Sequence, residues 1–389
     1  IFAVAAVIAS IQQAVGRFMF CALAPMLYNV GIIIGTVWFT GGVNLFGWQI
    51  FDGGIMGVAL GVVLGSFLQL IVSAVGLAGL GFDYNFKIYW RNKGFRKVLS
   101  LLPARSVDQG MDYVVSLVEV NLASRLADGT VRAYQQALTL HMMPINLIGV
   151  AISNAAFPQL TEHLGEGRND LFQKDLRSLL RIIFWMALPV SVVIFFTRGY
   201  VVHFISNGGV PLIAGILGCL VVAILFRTIY HMAARAFYAR QDTKTPLYIS
   251  IFSITLNIIL AIVLSMVLKM GAYGLAWAQS TVAVLEVVVL LAVMNRQMPK
   301  LFDMTFVRAI FKMIIAGTVT GVVCYIAVLI MPFRYHDDSF FSAFPKFVII
   351  SLVSFGAYAA ASKWLKLPEI DPILARLKKV LFGRLEFKG

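Results

Sequence analysis

The sequence predicts an all-α integral membrane protein, a polytopic bundle of about eleven transmembrane helices, on three observations. Its 389 residues are 60% hydrophobic and only 13% charged, with a mean hydropathy of +0.87. A soluble domain carries roughly 25% charged residues, and a chain with half of that cannot clothe a surface facing water on all sides. Apolar runs of about 20 residues recur along it, each long enough to cross roughly 30 Å of hydrocarbon. Backbone polar groups at that depth must be satisfied inside the segment, which makes each run a helix. The basic residues fall in alternate loops and their flanks: 25 Lys and Arg in one set and six in the other, with Arg227, deep within a span, completing the 32.

In chain order the runs lie near 1–14, 20–40, 55–80, 100–124, 133–156, 180–197, 210–234, 247–267, 272–294, 308–331 and 345–365. The first is incomplete and opens on Ile1 without a basic n-region, as expected of a fragment rather than a signal peptide. Very short connections, such as Lys269 to Gly271, force antiparallel neighbours. The stretch from Gln159 to Arg177 is polar and amphipathic and reads as a surface helix leading into the next span. The richly basic loops (around Arg17, 82–107, 158–181, 235–245, 296–312 and 363–389) are expected in the cytoplasm, the C-terminal tail with them. The net charge of +14 therefore belongs to membrane topology, and with no RNA- or DNA-binding motif a nucleic-acid partner is not expected. Cys21, Cys219 and Cys324 sit far apart within apolar runs, without metal-ligand spacing, and read as buried thiols.

Ionisable groups inside spans are expensive, at least roughly 2.5–3.5 kcal/mol at the bilayer centre, and usually face a bundle interior or a wet cavity. Arg105, Asp108, Asp112, Ser116 and Glu119 follow one another at spacings of 3, 4, 4 and 3, which puts them on one helical face. Such a stripe is either an ion-pair network between helices or part of a substrate or ion path. The next span repeats the face with neutral groups, Gln135, Thr139, Asn146 and Ser153, which interhelical hydrogen bonding alone could explain. His141 lies on a neighbouring face as a packing residue. Arg227, His231 and Arg235 form a third stripe. Arg235 can snorkel to the interface, whereas Arg227 is two turns deeper and needs an anion: Asp108, Asp112 or a substrate phosphate. Glu286 stands isolated in its span, facing either a cavity or a neighbouring helix. The G-x-x-x-x-G-K-S/T nucleotide loop is missing, so movement of cargo would draw on an ion gradient or the membrane potential.

Several segments resemble the MurJ/MviN family of lipid II flippases, within the MOP exporter superfamily. AFYARQDTKTP (Ala236–Pro246) followed by LYISIFSITLN is similar to that family's tenth-helix turn. GRFMFCALAPMLYN (Gly16–Asn29), GVALGVVLGSFLQL (Gly57–Leu70), MPINLIGVAISNAAFPQL (Met143–Leu160) and GAYGLAWAQS (Gly271–Ser280) resemble further segments of it, in the same order. The resemblance covers essentially the whole chain and makes its spans family helices four to fourteen, the first three or so being absent.

It implies a two-lobed fold: a remnant of the N-terminal six-helix lobe over 1–80, a C-terminal six-helix lobe over 99–295, an additional helix pair over 308–365 and a basic cytoplasmic tail over 366–389. It also implies a monomeric, multi-pass protein of the bacterial inner membrane. Such a protein moves an undecaprenyl-pyrophosphate-linked peptidoglycan precursor outward by alternating access, with that lipid-linked precursor and membrane lipids as its partners. The cargo's pyrophosphate calls for cationic cavity groups, for which Arg227, Arg235 and Arg105 are the candidates, with Thr139, His231 and Asn146 beside them. Leu138 and Thr139 stand where the family carries an acid and an arginine. Ion coupling or gating falls to Glu119, Asp112, Asp108 and Asn257, with a sodium ion near Glu119 and Asn257, or a proton, as the coupling ion and no other cofactor. Ala261 replaces the second acid of the family's sodium site. The alternatives are an exporter of another polyprenyl-linked oligosaccharide or small molecule, and an enzyme, a polyprenyl-phosphate-dependent transferase. The enzyme has only the Asp337–Asp338 pair in a short loop to recommend it, so a transporter is expected.

Overall fold

The computed structural model describes residues 1–45, 48–51, 53–79, 81, 90–205, 210–299, 301–333 and 340–371. Of these, the side chains of 43–51, 101, 104–105, 107–109, 111–112, 210 and 340–341 lie outside the description, which removes Arg105, Asp108 and Asp112 from it. The chain divides into two compact units, Ile1–Trp90 and Arg91–Gly389.

The first unit holds α1 (Phe2–Ala14), α2 (Phe18–Ile34) running into a π-helical turn (Gly35–Phe39), and α3 (Ile55–Val75). Between them an antiparallel pair, β1 (Val43–Leu45) and β2 (Trp48–Phe51), forms a small hairpin that the hydropathy pattern did not announce. α2 and α3 touch backbone to backbone. A Cβ added to Gly31 would collide with the Gly65 backbone, and one on Gly35 with that of Gly61. Lipid offers helices little hydrophobic reason to associate, so close approach through small residues at four-residue spacing has to supply the packing. Gly57, Gly61 and Gly65 provide that spacing on α3.

The second unit is built on α4 (Lys93–Ser124), α5 (Thr130–Pro144) with a π turn (Ile145–Val150), α6 (Ala151–Gly165), α7 (Asn169–His203), α8 (Val210–Ala239), α9 (Lys244–Ile262) with a π turn (Val263–Val267) and α10 (Ala272–Gln297). α11 (Met304–Ile330), α12 (Phe340–Trp364) and a 3-10 turn (Pro368–Ile370) follow. Pro144 has no N–H to give to the helix ladder, and the wider π turn begins at the next residue. One apolar cluster joins α6, α7, α8 and α10 around Leu160, Leu176, Phe237 and Leu290. A second joins α4, α5, α8, α9 and α10 around Tyr134, Leu217, Ala261 and Leu275. α11 and α12 pack on α7 through Trp185, Met313 and Tyr358. Polar ties secure that contact: Arg177 to Asp303 at 2.6 Å, and Trp185 Nε1 donating to Ser362 Oγ at 3.1 Å. Asp303 also caps α11 by accepting from the Phe306 N–H at 2.8 Å.

Nine helical spans among the described residues are long and apolar enough to cross a membrane. The remaining two of the eleven expected runs are the shorter helix Phe2–Ala14 and Tyr113–Ser124, the apolar end of α4. The protein is a multi-span α-helical membrane protein. The stretch Gln159–Arg177, expected as a surface helix leading into the next span, is divided by a turn. α6 stops at Gly165, Gly167 turns the chain at φ +72°, and α7 starts at Asn169 and continues through its whole span. Phe172, Leu176 and Leu180 recur every fourth residue and are buried, so one face of the start of α7 packs into the core.

Candidate functional site

A cavity of about 450 Å³ lies within the second unit, walled by α4, α5, α8, α9 and α10 with Val150 of the π turn. Each helix contributes residues at helical spacing: Val115, Ser116 and Glu119; Leu138, His141, Met142 and Ile145; Arg227, Tyr230, His231, Ala234, Arg235 and Tyr238; Ser250, Ser253, Ile254 and Asn257; Gln279, Val282 and Glu286. Spacings of three and four residues keep each set on one face, so five amphipathic stripes converge on one polar space inside an apolar bundle.

Two clusters organise it. Glu119 is 2% exposed, and both its carboxylate oxygens accept hydrogen bonds. Gln279 Nε2 donates to Oε1 at 2.9 Å and to Oε2 at 3.1 Å, and the Tyr134 hydroxyl donates to Oε2 at 3.0 Å. Arg227 pairs with Glu286, Nη1 to Oε2 at 3.2 Å, with Glu286 almost wholly buried and Arg227 a quarter exposed. The guanidinium also lies over the Tyr230 ring at 5.9 Å and acts electrostatically on Glu119. Tyr230 Oη and Ser250 Oγ share a hydrogen bond of 3.2 Å across α8 and α9. Arg235 stacks 5.7 Å from the Phe157 ring centroid.

Of the residues singled out from the sequence, Arg227, Arg235, His231, Glu119 and Asn257 therefore meet at one cavity. Thr139 and Asn146 do not: both are exposed, and the Thr139 hydroxyl donates back to the Gln135 carbonyl at 2.9 Å. His141 is buried, with Nδ1 3.0 Å from the Leu138 carbonyl, and it lines the cavity. Among the described residues Arg227 pairs with Glu286, which had looked isolated because its partner lies two helices away in sequence. Gln279 and Tyr134 were also missed. A glutamine and a tyrosine carry no charge penalty, so only three-dimensional proximity reveals them as partners of Glu119.

The signature turn is structural. Asp242 accepts from the Thr245 N–H at 3.0 Å and from its hydroxyl at 2.6 Å, opening α9. Lys97 Nζ donates to Gln241 Oε1 at 3.2 Å, and Arg240 Nη1 donates to Gln297 Oε1 at 2.5 Å, so α4 and α10 meet at this turn. Partial burial acts to raise the Asp242 carboxyl, but the bonds from Thr245, Gln297 and the Lys244 backbone outweigh it and hold it below the usual carboxylate range.

A sodium ion near Glu119 and Asn257 is what the sequence resemblance implies, and the residues present do not fit it. Ala261, where the second acid would stand, is fully buried in apolar packing. Glu119 is met by hydrogen-bearing donors on both oxygens, and a guanidinium already shares the cavity. Asn257 is 2% exposed, with neither amide atom hydrogen-bonded.

The model of the family described as "Lipid II flippase MurJ" matches residues 1–344. The chain belongs to that family. Over 377 residues it is 26% identical to the probable lipid II flippase MurJ of Thermotoga maritima, covering 95% of this chain and 70% of that protein. The probable lipid II flippase MurJ of Borreliella burgdorferi is 24% identical over 286 residues, 72% of this chain and 54% of the relative. The chain thus spans between about half and 70% of the length of these relatives. A solved structure described as "Lipid II flippase MurJ, inward closed conformation" superposes with a TM-score of 0.67 at 23% identity, over 92% of this chain and 70% of that one. That likeness is one of fold.

Proposed function

We propose that this protein moves a polyprenyl-pyrophosphate-linked peptidoglycan precursor, lipid II, from the cytoplasmic to the outer leaflet by alternating access. Membership of the MurJ family over residues 1–344 is the observation that carries this reading. The polar cavity inside the bundle supports it, because such a cavity is costly to keep in lipid unless something polar uses it. Arg227 and Arg235 lie eight residues apart on one stripe of α8, and their guanidinium groups supply positive charge suited to phosphate oxygens. The walls carry two glutamates as well, so the cargo must compete with Glu286 for Arg227. A cation that is already paired with Glu286 still offers the anion a partner once it arrives.

Placed in cells depleted of their own lipid II flippase, the full-length protein should restore growth and cell shape. Failure to do so from a well-expressed, membrane-inserted protein would remove the reading. The orientation is part of the proposal, with the richly basic loops and the C-terminus in the cytoplasm. In a background with Cys21, Cys219 and Cys324 replaced, Asp128→Cys should label with an impermeant maleimide from outside intact cells, and Glu166→Cys only after lysis. Both positions are exposed at helix ends. The opposite pattern would invert the direction of transport.

A further inference from the structure

We propose that Arg227 is the resident cation of the Glu119–Glu286 acid pair, so that the site where a sodium ion is expected is served by the chain's own guanidinium and needs no metal. Three independent features of the cavity point this way. First, the charged side chains among the described residues of its wall are two arginines and two glutamates, so each glutamate there has a cation on the same wall. Second, Arg227 contacts Glu286 at 3.2 Å and lines the same cavity as Glu119, so one guanidinium shares the space with both acids. Third, the coordination directions of Glu119 are taken by the Gln279 amide and the Tyr134 hydroxyl, both of which turn hydrogens toward it.

A sodium ion entering there would meet those hydrogens and a fixed positive charge in a poorly screened interior, where repulsion between like charges is many times stronger than in water. Ala261 offers no second carboxylate to offset that repulsion, and the orphaned Asn257 amide contributes one neutral oxygen at most. Gln279 is then a positioning residue. It clamps α10 to α4 through Glu119 in the place where a metal would bridge helices.

The experiment reads the stability of the purified, precursor-free protein, so its outcome is separate from whether the protein flips lipid II. Thermal unfolding is compared in sodium, potassium and choline chloride at equal ionic strength. The wild type is expected to unfold at the same temperature in all three. Arg227→Met should be less stable and should become cation-dependent, regaining stability in sodium over choline as a metal moves toward the exposed acids. Arg227→Lys keeps a cation and should remain indifferent to the salt. Adding Glu119→Gln to Arg227→Met should remove the acquired dependence. A wild type stabilised by sodium over choline, by roughly 5 °C or more as a saturating specific ion would give, overturns the proposal. So does an Arg227→Met variant as stable as the wild type in every salt. Should Arg227→Met not fold, the wild type and Arg227→Lys still decide, since sodium dependence in either contradicts a resident guanidinium.

Discussion

Glu286→Ala is expected to be among the most destabilising substitutions in the protein, by about 3–5 kcal/mol, the usual cost of removing one partner of a buried pair and stranding the other. Glu286 is nearly fully buried and sits 3.2 Å from Arg227, while Glu119 is committed to Gln279 and Tyr134. Replacing both partners by apolar residues of similar volume, Glu286→Leu with Arg227→Met, should recover most of that loss, because neither charge is then left to desolvate. Thermal unfolding of the single and double variants in one detergent checks this, and additive losses would show that the two side chains do not act as a pair.

The second large effect concerns transport. Arg227→Ala should reduce precursor flipping by roughly 10- to 100-fold, corresponding to a charge-assisted hydrogen bond of about 1.5–3 kcal/mol. Arg227→Lys should retain part of the activity, since an ammonium keeps the charge and loses the planar fork. Rescue of flippase-depleted cells at matched membrane levels compares them. Equal rescue by Arg227→Ala and wild type would separate Arg227 from the cargo path.

The membrane fold was legible because hydropathy and loop charge report directly on the solvent around each segment. Each apolar run that the bilayer demands is a helix here, and the residues of the AFYARQDTKTP turn explain their own spacing: Asp242 reaches forward to Thr245 to open α9. Periodicity also placed Arg227, His231 and Arg235 on one face and Glu119 on another, and the cavity gathers both. Partnership was not legible. Helical spacing says which residues share a face and nothing about which face lies opposite. Spacing offered Arg227 the anions Asp108 and Asp112, whose side chains lie outside the described residues, and could not offer Glu286, its described partner 59 positions later in the chain. Gln279 bonds Glu119 across 160 positions, a contact that no local pattern encodes. The stretch around Gln159–Arg177 was legible only in part. Its polar face suggested a surface helix, while Phe172, Leu176 and Leu180 on the other face continue the buried stripe of α7. Gln159 and His163 spend their polarity on Asp175, at 2.8 and 3.0 Å.

The central claim is that the protein carries a lipid-linked pyrophosphate precursor across the bilayer. It is tested most directly by reconstituting the full-length protein into vesicles that hold fluorescently labelled precursor in both leaflets, then adding an impermeant quencher. With wild-type protein, the inner-leaflet label should become accessible with time, whereas vesicles with Arg227→Ala should lag far behind and protein-free vesicles should keep a protected half. A protected half that persists with folded wild-type protein, under an imposed membrane potential and ion gradients of either sign, would contradict the account.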